Sequence, residues 1–336
     1  MRGTMQLFQV SCGSLEGNPL GDPATRSMPV YLPPGYAEDN GQRYPVVYFL
    51  HGFTGSGQSW LNASAFTRNV PERLDQLVSE ATIPPCIGVF VDGWTALGGS
   101  QWINSEAIGR YRDLVARDVV QWADRTLRTI PRGTARALIG KSSGGYGALV
   151  IGRFHPDLFG HLGVHSGDAG FELCYLHELP QMLGPIVKMG GVERWYRDFK
   201  DRALATKMRG DDHAVINMLC MAAAYSPKKG EPLGLELPID QESGRLRIDV
   251  WNRWLVHDPV RFIPKHLDAF KKLKTVFVDC GARDEFNLRW GSRQVVEELK
   301  KGGVEVLYEE FDDGHMNINY RFDRSLAYLV PRLDRG

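Results

Sequence analysis

One strand–turn–helix segment constrains the fold more than any other part of the chain. A short apolar run at 135–139 leads directly into GKSSG, which fits the pattern G-x-S-x-G, and a helical pattern continues through 148–153. A sharp turn between a strand and a helix holds its central residue, here Ser142, in a strained conformation above the sheet. Glycine at 140 and 144 removes side chains that would collide within such a turn. The segment therefore predicts that Ser142 is a nucleophile on a strand-to-helix turn.

The rest of the chain alternates between short apolar runs and helical patterns. Runs that are apolar throughout and bounded by Gly, Pro or Asp are typical of buried strands in a parallel sheet. Amphipathic patterns at 71–81, 110–128 and 292–301 predict helices between them. This alternation predicts an α/β fold with a mostly parallel sheet and helices on both faces. The predicted strands are 28–32, 46–50, 87–91, 135–139, 275–279 and 305–309.

The stretch 170–261 interrupts this alternation with helical pieces such as 192–205 and 214–225. We interpret the stretch as a lid or cap inserted into the sheet domain, because it is not set off by a flexible linker. A second, independent domain is the alternative. The expected layout is one catalytic domain whose core consists of 1–169 and 262–336.

A His-Gly turn follows the predicted strand 46–50 and supplies a candidate oxyanion hole. A backbone N–H in such a turn, upstream of the nucleophile, can donate to a developing oxyanion, and we assign it to Phe53. The residue after the nucleophile, Ser143, would provide the second N–H. Ser143 is also a rival nucleophile, but it lacks the flanking glycine spacing. We expect His51 to make structural hydrogen bonds rather than to carry protons.

The general base is expected late in the chain, because the order in folds of this kind is serine, acid, histidine. The chain has nine histidines. Of these, His315 follows the last predicted strand on a loop, where the preceding glycine gives the backbone freedom. His257 and His266 precede the strand 275–279, which is too early in the topology. We therefore predict that His315 is the base.

The acid is expected after the strand that precedes the base. Asp284 lies on the loop just past 275–279, where a carboxylate can turn toward the histidine. Glu285, Asp312 and Asp313 remain alternatives on neighbouring positions. The latter two would have to fold back along their own loop, so the sequence favours Asp284.

Charge and cysteine content exclude several other classes of protein. Lys plus Arg and Asp plus Glu both number 40, which leaves no basic surplus for nucleic acids or anionic membranes. The five cysteines are an odd number without a CxxC pair, so a disulfide scaffold or a zinc ribbon is not supported. No signal peptide and no transmembrane run is visible, and we expect a cytoplasmic protein that needs no metal or organic cofactor.

Four segments together resemble the esterase D-like branch of the α/β-hydrolases. They are NPLGDPATRSMPVYLPPGY, YPVVYFLHGFTGS, INSEAIGRYRDLVARDVVQWADRTLRTI and GKSSGGYGALVIGRFHPDLFGHLGVHSGD. That branch includes S-formylglutathione hydrolases, feruloyl and acetylxylan esterases, siderophore esterases and mycolyltransferases. The resemblance covers about 15–169 and 255–330. It implies an α/β-hydrolase fold and ester hydrolysis through an acyl-enzyme on Ser142, with His315 as base and Asp284 as acid.

The implied substrates are small-molecule esters with short- to medium-chain or aromatic (feruloyl- or acetyl-type) acyl groups. An acyltransferase with the same triad and an S-formylglutathione-type thioesterase are the alternatives, and a non-catalytic binding protein is a third. A homodimer is possible for this kind of sheet, but no sequence feature indicates one. Aromatic and amide side chains on loops near the expected site are candidates for a substrate pocket, with core packing as the alternative. These candidates are Trp60, Trp94, Trp102, Asn104, Trp251 and Trp254.

Overall fold

The computed structural model describes residues 1–38 and 41–336, which form a sheet of eight strands. The strand order is β1-β2-β4-β3-β5-β6-β7-β8. The pairs β1–β2 and β2–β4 are antiparallel, and the other neighbours are parallel. This mostly parallel sheet, with helices around it, confirms the predicted α/β class. The strands are β1 (Thr4–Ser11), β2 (Thr25–Leu32), β3 (Val46–Leu50), β4 (Ile87–Val91), β5 (Arg136–Lys141), β6 (His161–His165), β7 (Thr275–Gly281) and β8 (Val306–Phe311).

The central strands match their predicted positions most closely. β3 and β4 have the predicted bounds, whereas β5 and β8 begin and end one or two residues later than predicted. β1 was not predicted from the sequence. Its side chains are mostly exposed or half-buried, as is usual for an edge strand, so it lacks the apolar run that marks the buried strands.

The sheet has a hydrophobic core on each face. Successive side chains of a strand point to opposite faces, so β3 contributes Val46, Tyr48 and Leu50 to one core and Val47 and Phe49 to the other. All five side chains are fully buried. A strand that must be apolar on both faces is one that lies in the middle of the sheet, which is where β3 is found.

The first long helix shows how local sequence sets the helix bounds. It begins after Asn69, whose side chain accepts the N–H of Glu72, while the Glu72 carboxylate accepts the N–H of Asn69. This reciprocal capping box satisfies two backbone donors at the start of the helix. The helices of eight or more residues are Val70–Ser79, Ser143–Phe154, Leu179–Met189, Val192–Ala205, Asp212–Tyr225, Ile248–Leu255, Leu288–Lys301 and Phe322–Leu329.

The predicted helix at 110–128 is divided into three segments. Tyr111–Asp113 and Val120–Thr126 are α-helical, and Leu114–Val119 between them is a π-helix. Shorter α-helical turns occur elsewhere, at Phe171–Cys174, Pro259–Phe262 and Leu267–Phe270. Among the residues that the structure describes, no helix combines the length and the apolar character that crossing a membrane would need.

Four of the longer helices lie between β6 and β7, in the region predicted to be a lid. The two pieces expected at 192–205 and 214–225 are helices Val192–Ala205 and Asp212–Tyr225. Helix Leu179–Met189 packs against both of them. The exact bounds of a lid at 170–261 remain a prediction. The parallel strands bring the loops after β3, β5, β6, β7 and β8 to one edge of the sheet.

Candidate active site

Ser142 occupies the sharp turn between β5 and the helix Ser143–Phe154. Its backbone has φ 58° and ψ −128°, a strained conformation for a residue with a side chain. Two close approaches of the backbone explain the flanking glycines. A Cβ on Gly144 would overlap the carbonyl of Leu50, and a Cβ on Gly140 would overlap the backbone of Gly144. The turn can therefore form only because both positions lack side chains.

His315 and Asp284 meet above the carboxyl ends of β7 and β8. His315 Nδ1 lies 2.8 Å from Asp284 Oδ2. The other carboxylate oxygen accepts the N–H groups of Phe286 at 3.0 Å and Leu288 at 3.3 Å. Burial alone would raise the pKa of Asp284, but the hydrogen bond and charge of His315, together with these N–H groups, hold it below its usual value. The carboxylate is thus fixed in its ionised form against the imidazole.

The three alternative acids make other contacts. Glu285 accepts the backbone N–H of His315 at 2.6 Å, so it positions the loop rather than the ring. Asp312 forms an ion pair with Arg283. Asp313 accepts the N–H of the residue after it and a phenol hydroxyl. Within the described part of the chain, Asp284 is the carboxylate that touches the ring of His315.

Two backbone N–H groups are available beside Ser142. Ser143 is the first residue of its helix, where an N–H has no partner within the helix. The N–H of Phe53 also has no hydrogen-bond partner among the described residues, whereas that of Thr54 is bonded to a carbonyl. The strand-to-turn segment is close to the serine, because a Cβ on Gly52 would lie 3.1 Å from the Ser142 Cβ. The N–H groups of Phe53 and Ser143 can therefore both lie near the oxygen of a carbonyl group whose carbon is bonded to Ser142 Oγ.

His51 is held by hydrogen bonds on both ring nitrogens. Nε2 accepts the N–H of Gly93 at 2.9 Å, so Nδ1 carries the proton and donates to the carbonyl of Gly52 at 2.8 Å. Burial lowers the pKa of His51, which keeps the ring neutral. Both nitrogens are therefore occupied in binding the turn.

A cavity of about 280 Å³ opens at Ser142 and His315. One wall of the cavity is apolar and includes Trp60 and Phe286. Another wall is polar and comes from the loop after β6 and the helices between β6 and β7. Ser142 Oγ and the His315 ring are not hydrogen-bonded to each other in the described structure. Such contacts often tighten only when substrate binds. This volume is near the lower end of the range for sites that bind small molecules.

Trp60 is the member of the predicted substrate pocket that lines this cavity. Trp102 is fully buried instead, and its Nε1–H donates to the carbonyl of His51 at 3.1 Å. Asn104 accepts the N–H of Asp113 at 3.2 Å. Those that the structure places away from the described cavity are Trp94, Trp102, Asn104, Trp251 and Trp254.

Three charged residues of the cavity, Lys141, Asp168 and Glu178, were not anticipated from the sequence. Lys141, directly before Ser142, lines the cavity, and burial lowers its pKa although Asp284 and Glu285 oppose the shift. Asp168 follows β6 and also lines the cavity. The signal that would have found Asp168 is its position, because polar residues just past the carboxyl end of a parallel strand commonly face a ligand.

Comparison with known proteins gives one family and a consistent fold. Residues 23–332 match the family model described as "Putative esterase". A curated relative from Xylanibacter ruminicola, an endo-1,4-beta-xylanase/feruloyl esterase, is 28% identical over 141 residues. The alignment covers 41% of this chain and 19% of that longer protein.

Solved structures of esterases resemble the whole chain at low identity. A ferulic acid esterase superposes with a TM-score of 0.63 at 16% identity, covering 99% of each chain. An S-formylglutathione hydrolase from Agrobacterium tumefaciens has a TM-score of 0.55 at 15% identity, covering 99% of this chain and 96% of its own. These likenesses, together with the strand order, confirm the predicted α/β-hydrolase fold.

Proposed function

The chain belongs to the Esterase family and is an ester-hydrolysing enzyme, and from that premise we propose a serine mechanism through an acyl-enzyme on Ser142. The observation that carries the proposal is the 2.8 Å contact between His315 Nδ1 and Asp284 Oδ2 beside the cavity that holds Ser142. That contact orients the imidazole so that Nε2 is free to accept a proton. The strained turn at Ser142 presents the hydroxyl to the same cavity.

Acylation follows from these positions. His315 Nε2 takes the Ser142 proton as Oγ bonds to the ester carbonyl carbon, and the carbonyl oxygen becomes an oxyanion. The N–H groups of Phe53 and Ser143 stabilise that charge. Loss of one such donor typically costs about 10²–10³ in rate. The bond to the alcohol oxygen then breaks, and the alcohol leaves with the proton from His315.

Deacylation uses the same groups with water as the nucleophile. His315 takes a proton from water as the water oxygen bonds to the acyl carbon, and the bond to Ser142 Oγ breaks. The acid is released and the proton returns to Ser142. Asp284 stabilises the imidazolium in both halves through its hydrogen bond to Nδ1.

We propose small esters with short- to medium-chain or aromatic acyl groups as substrates. The size of the cavity, about 280 Å³, supports this choice over long acyl chains. The curated relative and several structural neighbours are described as feruloyl or ferulic acid esterases, which supports an aromatic acyl group. S-Formylglutathione is a second candidate, because S-formylglutathione hydrolases share the fold.

The test is hydrolysis of p-nitrophenyl esters from C2 to C12 by the wild type and by Ser142→Ala. We expect activity that declines at the longer chains, and a loss in the variant of about 10⁶ in kcat. Ser243→Ala is the matched control, because Ser243 is an exposed serine in a turn that does not line the cavity. A Ser142→Ala protein that hydrolyses esters as fast as the control would contradict the proposal.

Parallel assays distinguish the other candidate reactions. S-Formylglutathione in place of the ester measures thioesterase activity. Glycerol added to the ester assay reveals acyl transfer as a new glyceryl ester. A folded wild type that is inert in every one of these assays would instead indicate a binding protein.

A further inference from the structure

Asp168 is a buried carboxylate with one occupied and one open oxygen. The residue is only 5% exposed and lines the cavity at Ser142. Its Oδ2 accepts three hydrogen bonds, from Tyr175 Oη at 2.9 Å, Gln101 Nε2 at 3.0 Å and Ser143 Oγ at 3.2 Å. Its Oδ1 accepts none from any residue that the structure describes. Among the described residues, Oδ1 is not one of the enclosed side-chain atoms that lack a hydrogen-bond partner, so it is open to the cavity, where a ligand can donate to it.

A second carboxylate of the cavity has the same character. Glu178 is 6% exposed, and its Oε2 accepts a hydrogen bond from Asn217 Nδ2 at 2.7 Å. Burial raises the pKa of both Asp168 and Glu178, and the charge of Asp168 raises that of Glu178 further. In the described chain, neither carboxylate forms an ion pair with Lys or Arg. This wall of the cavity therefore offers hydrogen-bond acceptors that the protein itself leaves unmatched.

From this geometry we propose that Asp168 Oδ1 accepts a hydrogen bond from a hydroxyl or ammonium group of the substrate, with Glu178 as a neighbouring acceptor. The site then selects esters that carry a donor on the part lying against this wall. The inference rests on the proposed esterase function and adds a substrate class to it. A site built to bind a donor discriminates strongly against analogues without one, because its buried polar groups are then left unpaired.

The contact from Ser143 offers a competing explanation. Asp168 could act only by holding the Ser143 hydroxyl, and through it the N–H assigned to the oxyanion hole. In that case its loss would slow every ester by the same factor. Ser143→Ala reproduces this indirect effect, because it removes the hydroxyl but keeps the backbone N–H. Substrate pairs that differ by one donor separate the two roles.

The decisive variant is Asp168→Asn. The three donors at Oδ2 hold the amide oxygen of the new side chain there, so its NH₂ group replaces Oδ1 and faces the cavity. An acceptor thereby becomes a donor without a change in size. We expect kcat/KM to fall about 10- to 100-fold more for a donor-bearing ester than for its plain partner, as for a lost hydrogen bond to a charged group.

Three substrate pairs cover both sides of the ester and both kinds of donor. Methyl 4-hydroxycinnamate differs from methyl cinnamate by a hydroxyl on the acyl side. 3-Hydroxypropyl butyrate differs from propyl butyrate by a hydroxyl on the alcohol side. 2-(Dimethylamino)ethyl butyrate, which is protonated at neutral pH, and 3-methylbutyl butyrate compare an ammonium group with an isostere. The pair whose ratio changes in Asp168→Asn identifies the donor and its side.

The outcomes are distinct. A ratio that falls at least tenfold in one pair for Asp168→Asn, but not for Ser143→Ala, supports the inference. If kcat/KM falls by the same factor for both members of every pair, or does not fall at all, the ratios are unchanged and the inference is overturned. The esterase function stays intact in that case. If the wild type hydrolyses none of the six esters and no p-nitrophenyl ester, the proposed function itself fails. If Asp168→Asn does not fold, the ratios of kcat/KM are measured for Glu178→Gln with the same substrate pairs.

Discussion

Replacing Asp284 by Asn should reverse the tautomer of His315 while leaving the loop in place. Asp284 Oδ1 is held by the N–H groups of Phe286 and Leu288, so the amide oxygen of Asn will keep that position. The NH₂ group then replaces Oδ2, 2.8 Å from His315 Nδ1. A donor at this place requires Nδ1 to be unprotonated, which moves the ring proton to Nε2. Nε2 can then no longer accept the proton of Ser142.

The size of the effect follows from the loss of the base. Asp284→Asn should lower kcat by about 10⁴, the usual cost of a wrong tautomer in such a triad. That factor corresponds to about 5 kcal/mol of transition-state stabilisation. The melting temperature should change little, because the backbone hydrogen bonds to the side-chain oxygen survive.

The assay is steady-state hydrolysis of p-nitrophenyl acetate, with thermal unfolding of the same samples. Asp312→Asn is the matched control, since Asp312 is an exposed carboxylate on the neighbouring loop. The control should retain wild-type turnover. An Asp284→Asn protein with normal melting and turnover within tenfold of the wild type would refute the reasoning and return the role of acid to another residue.

Two further predictions concern stability. Gly144→Ala should lower the melting temperature and the activity together, because its Cβ would overlap the Leu50 carbonyl, whereas Gly13→Ala has open space and should be neutral in the same thermal scan. Burial opposes ionisation of Glu236, but Lys228, Arg247 and Arg253 hold its pKa at about 2, below the ordinary value of 4.5. A depressed pKa stabilises the folded state above pH 4.5, and this contribution is lost as the pH falls toward 2. Glu236→Gln should therefore flatten the melting temperature between these pH values, and an unchanged acid slope in the variant would be evidence against this role.

The sequence was most informative where function depends on local pattern and chain order. The turn at Ser142 is encoded in adjacent residues, since the glycines that its backbone requires are its near neighbours. His315 and Asp284 could be placed because each follows a recognisable strand. Their contact then results from the topology, which brings the carboxyl ends of β7 and β8 together. The catalytic roles of all three remain predictions.

The polar wall of the cavity could not be predicted in the same way. Asp168 is bound by Gln101 and Tyr175, which come from separate loops, and it lines the cavity beside Tyr175 and Glu178. Such contacts depend on the path of the chain between β6 and β7, and no local pattern encodes that path. Tyr175 and Glu178 belong to that segment and carry no motif.

The tryptophans show the limit of reasoning from residue type. Trp102 follows a strand and was a candidate for the pocket, yet it packs so tightly on Gly147 and Gly93 that a Cβ on either would meet its ring at 2.5–2.6 Å. Such pairing of a large ring with distant glycines appears only in the folded chain. Trp60 reaches the cavity from a similar loop position. Side-chain direction, rather than loop position, separates the two.

The most direct test of the central claim is covalent labelling with a fluorophosphonate. Oγ of an activated serine bonds to phosphorus and displaces fluoride, so the site of the adduct identifies the nucleophile. Trypsin should release a peptide that begins at Ser142, after Lys141, and fragmentation of this peptide distinguishes Ser142 from Ser143. We expect one adduct per chain, on Ser142, absent from Ser142→Ala and slow to form in Asp284→Asn. An adduct on Ser143, or none on a protein that still hydrolyses esters, would contradict it.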